Sequence, residues 1–468
     1  MISPGGLFRT KSIEQLKATA ETRSLKRTLG PLDITMMGIG AIIGIGIFVL
    51  TGLAAALYAG PGIVLSFIVG GIACVLIALI YSELAAAIPV AGSAYTYSYA
   101  TLGEIVAWIV GWNLILEYAA SVCVVSGGWS GYVTGIFRGA GIILPKALTA
   151  VPANGGIVNL PAMLIPLLIG LLLIRGTKES VRINRIIVFV KLAAIGLFVF
   201  LAAPKVSAVN WSDFLPYGVT GVFTGAAIVF TAYLGFDAMS TTSEESRNPG
   251  RDVPVGIICS LLICSVLYII VAALLTGLVP FGELNTPEPM AYALDAVGYR
   301  LGSSLVAVGA VAGITSVLLI NMYGLSRVVF AIARDGFLPG WICNVHPRYG
   351  TPYIITLIAA GMGALVAGFV PIQMLAELVN IGTLFAFVLA AVGVLVLRRR
   401  QPHLHRPFRT PALYLIAPLA IVLCLVLMFS LPFETWVRFI VWSAVGLVIY
   451  FGYSCRHSML NITKIARL

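Results

Sequence analysis

Apolar residues fall in twelve long blocks along the chain, separated by short polar stretches. The blocks lie near 31–56, 61–88, 101–134, 157–174, 183–203, 219–245, 254–279, 301–332, 352–370, 374–397, 412–431 and 434–455. Each is close to or above the roughly 20 residues that a helix needs to cross a hydrocarbon core. No ten-residue alternation of a membrane barrel occurs. The pattern therefore predicts an all-α polytopic membrane protein with twelve transmembrane helices. The block near 101–134 is long for one crossing, so its helix is expected to tilt or to extend beyond the bilayer.

Composition agrees with this reading. The chain has 468 residues, 60% hydrophobic and 10% charged, where a soluble domain carries about 25% charged residues. Of its 29 Lys and Arg, all but Lys191 sort between alternate loops. On the side of the N-terminus they fall in the N-terminal tail, in 175–185, 247–251, 327–348 and 398–409, and at the C-terminus. On the opposite side stand only Arg138, Lys146, Lys205, Arg300 and Arg438. That asymmetry predicts both termini on the cytoplasmic face of the plasma (inner) membrane. The net charge of +11 is thus topological and faces anionic lipid. No nucleic-acid module is present. The first block is too long, and the tail before it too polar, for a cleaved signal peptide. A short amphipathic surface helix is expected over Ser12–Ala20.

Soluble-enzyme motifs are absent: no phosphate loop, nucleophile elbow or HExxH. The seven cysteines show no CxxC or CxxH spacing, so no metal or cofactor is implied and they read as small packing residues. His346, His403, His405 and His457 fall in or beside cytoplasmic segments, which leaves no histidine relay through the membrane.

Two blocks contain helix-weakening sequence at their centres. The first is MMGIGAIIGIGIFVLTG (36–52), with glycine at 38, 40, 44 and 46; the second is FTAYLGFD (230–237), followed by STTSEESRNP. A glycine inside a helix costs about 0.5–1 kcal/mol relative to alanine. The spacing in the first block would equally suit a small-residue packing face. The second weak block, five spans later, favours another reading. Two inverted five-helix repeats place broken helices at corresponding positions, and solute binds where both backbones unwind. The glycines are expected to supply the unusual dihedrals of the opening.

GIGAIIGIGIF (38–48), and FTAYLGFD with the EESRNPGRDVP that follows it, resemble signatures of the amino acid–polyamine–organocation superfamily. WNLILEYAAS (112–121) and SRVVFAIARDGFLP (326–339) resemble its cationic amino acid transporter branch. The resemblance covers most of the first ten helices and points to bacterial, proton-coupled members. It implies a LeuT-like 5+5 inverted repeat plus two extra helices. The repeats would span 31–203 and 219–397, with helices 11 and 12 in 412–455 and cytoplasmic tails at 1–30 and 456–468.

The resemblance also implies site residues. Backbone N–H groups around Gly44, Ile45 and Gly46 would hold an L-amino acid's carboxylate, as a half-helix N-terminus suits an anion. Carbonyls of Ile42, Phe230, Thr231 and Leu234 would take its ammonium, with Ile43 and Ala232 in the same two stretches. Many relatives have a small or hydroxylated residue where this chain has Ile45, so a side-chain contact there is lost. Glu117, Cys123, Tyr233, Phe236, Asn321 and Met322 are candidates for selectivity. Glu117 either attracts a cationic side chain or locks helices together. Asn321 either meets a polar substrate group or bonds a neighbouring helix.

Lys191, in IIVFVKLAAIG, is the charged residue that most needs an explanation. A lysine at the bilayer centre costs about 2.5–3.5 kcal/mol on insertion scales. In relatives a span-five lysine reaches toward the span-one break, where sodium-coupled cousins hold an ion. Lys191 is therefore expected to carry the coupling proton. Snorkelling to the interface and sodium coupling through Thr315 and Ser316 are the rivals. Asp237 reads as a cap on freed backbone, Glu83 as a partner across helices, and Tyr95, Tyr97 and Tyr99 as interfacial anchors. Glu244, Glu245, Arg247, Arg251, Arg334 and Asp335 are expected to form cytoplasmic salt bridges. The expected activity is proton-coupled uptake of L-amino acids, cationic or small neutral ones such as alanine. An amino acid or polyamine exchanger, a channel and a membrane sensor are the alternatives.

Overall fold

The computed structural model describes residues 8–12, 29–88, 93–175, 181–244 and 246–458. Among these residues the fold is all-helical, and the only β pairing is two isolated bridges, Leu29 with Ser246 and Thr149 with Asn159. The first apolar block forms α1 (Pro31–Ile42), an interruption, and a second helical segment, α2 (46–59). Then come α3 (Ile63–Ala87), α4 (Ser93–Thr101), α5 (Glu104–Gly139), α6 (Leu160–Ile174) and α7 (Val181–Ala202). α8 (Gly218–Val229) tightens into a 3₁₀ turn at Phe230–Tyr233 and breaks. The rest are α9 (Pro249–Leu278), α10 (Pro289–Ala296), α11 (Arg300–Arg334), α12 (Tyr353–Phe369), α13 (Ile372–Arg400), α14 (Leu413–Phe429) and α15 (Phe433–Ile449).

Seven described helical stretches are long and apolar enough to cross a membrane, and five further apolar helices are of 10–17 residues. The chain is a multi-pass membrane protein. With 36 residues, α5 is about 54 Å long at 1.5 Å per residue, well beyond one hydrocarbon thickness. It packs against α6, α11, α12 and α13, while α1 packs against α7, α9 and α11. The indole nitrogens of Trp112 and Trp442 each donate to the other residue's carbonyl, at 2.8 and 3.2 Å, fixing α15 to α5.

Several sequence expectations change here. Tyr95, Tyr97 and Tyr99 are not interfacial anchors: they lie on the separate helix α4 and are all buried. Tyr95 Oη donates to Asp335 at 2.7 Å, and the rings of Tyr95 and Tyr99 pack on Phe337. Asp335 does form the ion pair expected of it, with Lys11 at 3.2 Å. Glu83 does pair across helices. It is fully buried, with Arg398 2.9 and 2.7 Å from its two oxygens, and it also accepts from the Thr410 N–H. The expected surface helix lies almost wholly outside the described residues, as does Glu245.

At the far end of α5, Arg138 donates to Glu288 at 3.0 Å, in the connection before α10. Burial pushes the Glu288 carboxyl above its usual range, and the Arg138 charge opposes that shift. A carboxyl raised in the fold stabilises it below the unfolded value of about 4.3, and that contribution is lost as pH rises through the folded value. Relative to Glu288→Gln, the wild-type thermal midpoint is therefore expected to be higher at pH 4 than at pH 7. Equal differences at both pH values would contradict this.

Candidate functional site

The two breaks face each other. α1 ends at Ile42, and Ile43 turns to an extended conformation with φ −71° and ψ 108°. Beyond Tyr233, Leu234 is extended at φ −63° and ψ 149°, and Gly235 adopts φ +111°. Only glycine enters that region without strain. A Cβ on Gly235 would also lie 2.9 Å from the Ala41 carbonyl carbon.

The glycines of the first block act differently from expectation. None of Gly38, Gly40, Gly44 and Gly46 is among the positive-φ residues. What matters at Gly46 is the missing side chain: a Cβ there would sit 2.2 Å from Ala232 Cβ and 2.3 Å from Ala232 Cα. At Gly38 it would meet Ser260 Oγ at 2.4 Å. The first break is thus made by extended Ile43, and the glycines let other backbone approach it.

Interrupting a helix strands peptide groups, and four side chains answer them. Lys191 is fully buried on α7, and its Nζ donates to Gly40 O at 2.6 Å and Ile43 O at 2.9 Å. Its stem lies along Gly313 of α11, where a Cβ would be 3.0 Å from Lys191 Cγ. Tyr268 of α9 places one hydroxyl 2.9 Å from Ile42 O and 2.8 Å from Ala232 O. One proton thus serves a carbonyl from each break. Asn380 of α13 donates to Ile228 O at 3.1 Å and accepts from Thr231 Oγ1 at 2.6 Å. Asp237 Oδ1 accepts from the Gly235 N–H at 3.2 Å, the capping contact expected of it. By helix geometry the segment restarting at Gly46 begins with N–H groups that have no partner inside it.

Of the sequence-predicted residues, Ile42, Ile43, Gly44, Ile45 and Gly46 stand at the first break, and Phe230, Thr231, Ala232 and Leu234 at the second. Exposure within the second is confined to Thr231, Leu234 and Gly235, between buried Phe230 and Phe236. Two aromatics expected to line the pocket turn away from this opening. Tyr233 donates to Phe67 O at 2.6 Å on α3, and Phe236 packs between Tyr81 and Phe387. An aromatic ring buries more favourably among other rings than beside freed peptide groups.

Met322 is fully buried, on the side of Gly170 in α6. Cys123 is also buried, and its thiol donates to Ala119 O at 3.2 Å. Asn321 stays half-buried on α11. Glu117 is 4% exposed, with no hydrogen-bond partner on Oε2, and lies within charge range of Asp237. At the positions of the sodium rival, Thr315 Oγ1 accepts from Trp129 at 2.9 Å, and Ser316 Oγ donates to Gly313 O at 2.9 Å.

Tyr268 and Asn380 were missed by sequence reasoning. Asn380 carries the same signal that singled out Asn321, a costly amide inside an apolar block.

The sequence from 29 to 452 matches the family model described as amino acid permease. The branched-chain amino acid permease BcaP of Bacillus subtilis is 50% identical, covering 98% of this chain and 99% of that protein. The methylthioribose transporter of the same organism is 46% identical over 97% and 99%. Cationic amino acid transporter 1 of Arabidopsis thaliana is 38% identical over 82% of this chain and 65% of its own length.

Proposed function

The chain belongs to the amino acid permease family, a family of transporters and not of enzymes, and on that premise we propose that it takes up L-amino acids together with a proton. The observation carrying this reading is that two opposed helices are interrupted, with Lys191 donating to carbonyls of the first break, Gly40 O and Ile43 O. The solute's carboxylate would rest on N–H groups around Gly44, Ile45 and Gly46. Its ammonium would meet carbonyls of Ile42, Phe230, Thr231 and Leu234. A clamp built from main chain recognises the zwitterion and leaves the side chain to the walls, where Asn321 and Glu117 remain the polar candidates.

In this reading the seven long and five shorter apolar helical stretches make twelve spans, with α1 and α2 sharing the first. Residues 31–203 and 219–397 form inverted repeats of five, and 412–455 adds two helices. Both termini are cytoplasmic in the plasma membrane. Alternating access follows as one set of spans rocks about the breaks.

Lys191 supplies the coupling. As an ammonium it brings three donors to the break. As a neutral amine it keeps two N–H donors but loses the third and the charge, and so holds the same carbonyls less strongly. The charge state of one side chain would therefore bias the first break.

The test is a thermal-shift screen over the twenty amino acids, polyamines and methylthioribose, since a bound ligand raises apparent stability. A shift with amino acids is expected. The similarity to a branched-chain permease puts leucine, isoleucine and valine beside alanine and the cationic residues as probes. A shift with methylthioribose alone, a possibility raised by the relative of that name, would replace the amino acid reading.

A further inference from the structure

The hydrogen bonds of Asn380 fix a direction that Thr231 cannot escape. Asn380 is fully buried. One end of its amide lies 3.1 Å from Ile228 O. A carbonyl can only accept, so that end is Nδ2. The other end is therefore Oδ1, 2.6 Å from Thr231 Oγ1. Oδ1 can only accept as well, so the threonine hydroxyl must donate. Its single proton is spent on the scaffold, and only lone pairs remain to face anything else.

Thr231 is also one of the few residues of the second break with exposed surface. A hydroxyl oxygen that can accept but not donate, on a partly exposed residue next to the Phe230 and Ala232 carbonyls, suits a cation. We infer that Asn380 is a positioning residue. It holds the Thr231 hydroxyl as a further acceptor for the ammonium group of the bound amino acid, and at the same time satisfies the Ile228 carbonyl at the end of α8. The inference rests on the proposed amino acid reading and adds a side-chain contact to a clamp otherwise made of main chain. It also gives α13 a part in recognition.

The test compares L-leucine with 4-methylpentanoate, and L-alanine with propionate, pairs that differ only in the α-amino group. Binding is read from ligand-induced thermal shifts of the full-length protein in detergent. Thr231→Val keeps the shape and removes the acceptor. It is expected to weaken binding of the amino acids roughly tenfold, the scale of one hydrogen bond to a charged group. Binding of the desamino acids should not change. Thr231→Ser should restore the preference for the amino acids.

Asn380→Leu should lower the same preference, and the Thr231→Val/Asn380→Leu pair should lose no more of it than Thr231→Val alone. Independent, additive losses would overturn the positioning role, because the asparagine would then not act through the threonine. A Thr231→Val protein with the wild-type preference would overturn the acceptor role. A wild-type protein that binds none of the twenty amino acids would instead fail the proposed function, and this inference with it.

Discussion

In Lys191→Ala, uptake driven by an inward proton gradient in proteoliposomes is expected to fall at least roughly tenfold. Lys191 Nζ makes two short contacts, to Gly40 O and Ile43 O. Hydrogen bonds from a charged donor contribute about 1.5–3 kcal/mol each, and tenfold corresponds to about 1.4 kcal/mol. Loss of either bond is thus enough, and alanine loses both while leaving two buried carbonyls stranded.

Instability alone would give the same drop, so Lys191→Arg separates the causes. Arginine keeps a permanent charge and several donors, and should recover much of the unliganded thermal midpoint. It cannot shed its proton, so proton-driven uptake should stay low. Full coupling in either variant would remove Lys191 from the proposed role. So would uptake by the wild-type protein that sodium accelerates and protons do not.

Much of this architecture could be read from the sequence because a bilayer imposes a coarse rule. An apolar run near 20 residues has few alternatives to a helix, so helices stand on the expected blocks. Lys191 was legible for the opposite reason: a charge inside such a run is too costly to be incidental, and its side chain is long enough to reach another helix. The position of both breaks was legible from glycine and polar residues at the centres of spans.

What those glycines do was not legible. Dihedral freedom and close approach leave the same letter in the sequence, and only the crossing of the two segments shows that Gly46 is there for Ala232. α4 was missed because SAYTYSYAT is short, aromatic and polar, a composition that suits an interface as well as a buried helix. Tyr268 was missed because one tyrosine in an apolar span is ordinary. Its distinction is that the fold places its hydroxyl between Ile42 O and Ala232 O, residues 226 and 36 positions away along the chain.

Gly46→Ala is expected to damage the site severely, because the added methyl meets backbone of the other break. The new Cβ would lie 2.2 Å from Ala232 Cβ, 2.3 Å from Ala232 Cα and 3.2 Å from Ala232 N. Carbon atoms rest about 3.5–4.0 Å apart, and backbone cannot turn aside as a side chain can. The two breaks would have to separate by an ångström or more. Displacement on that scale can cost roughly a hundredfold in a positioned site, so amino acid affinity should fall at least tenfold.

Gly196→Ala is the control. It adds the same methyl to α7, where nothing lies within 4 Å, and should leave uptake and thermal midpoint near wild type. Because Gly46→Ala also strains the fold, the informative comparison is between its unliganded midpoint and its affinity. If the midpoint falls by a few degrees while ligand shifts vanish, the closeness of the two interrupted segments is what grips the solute. If the variant binds amino acids as tightly as wild type, the segments can part freely, and the clamp across the two breaks is wrong.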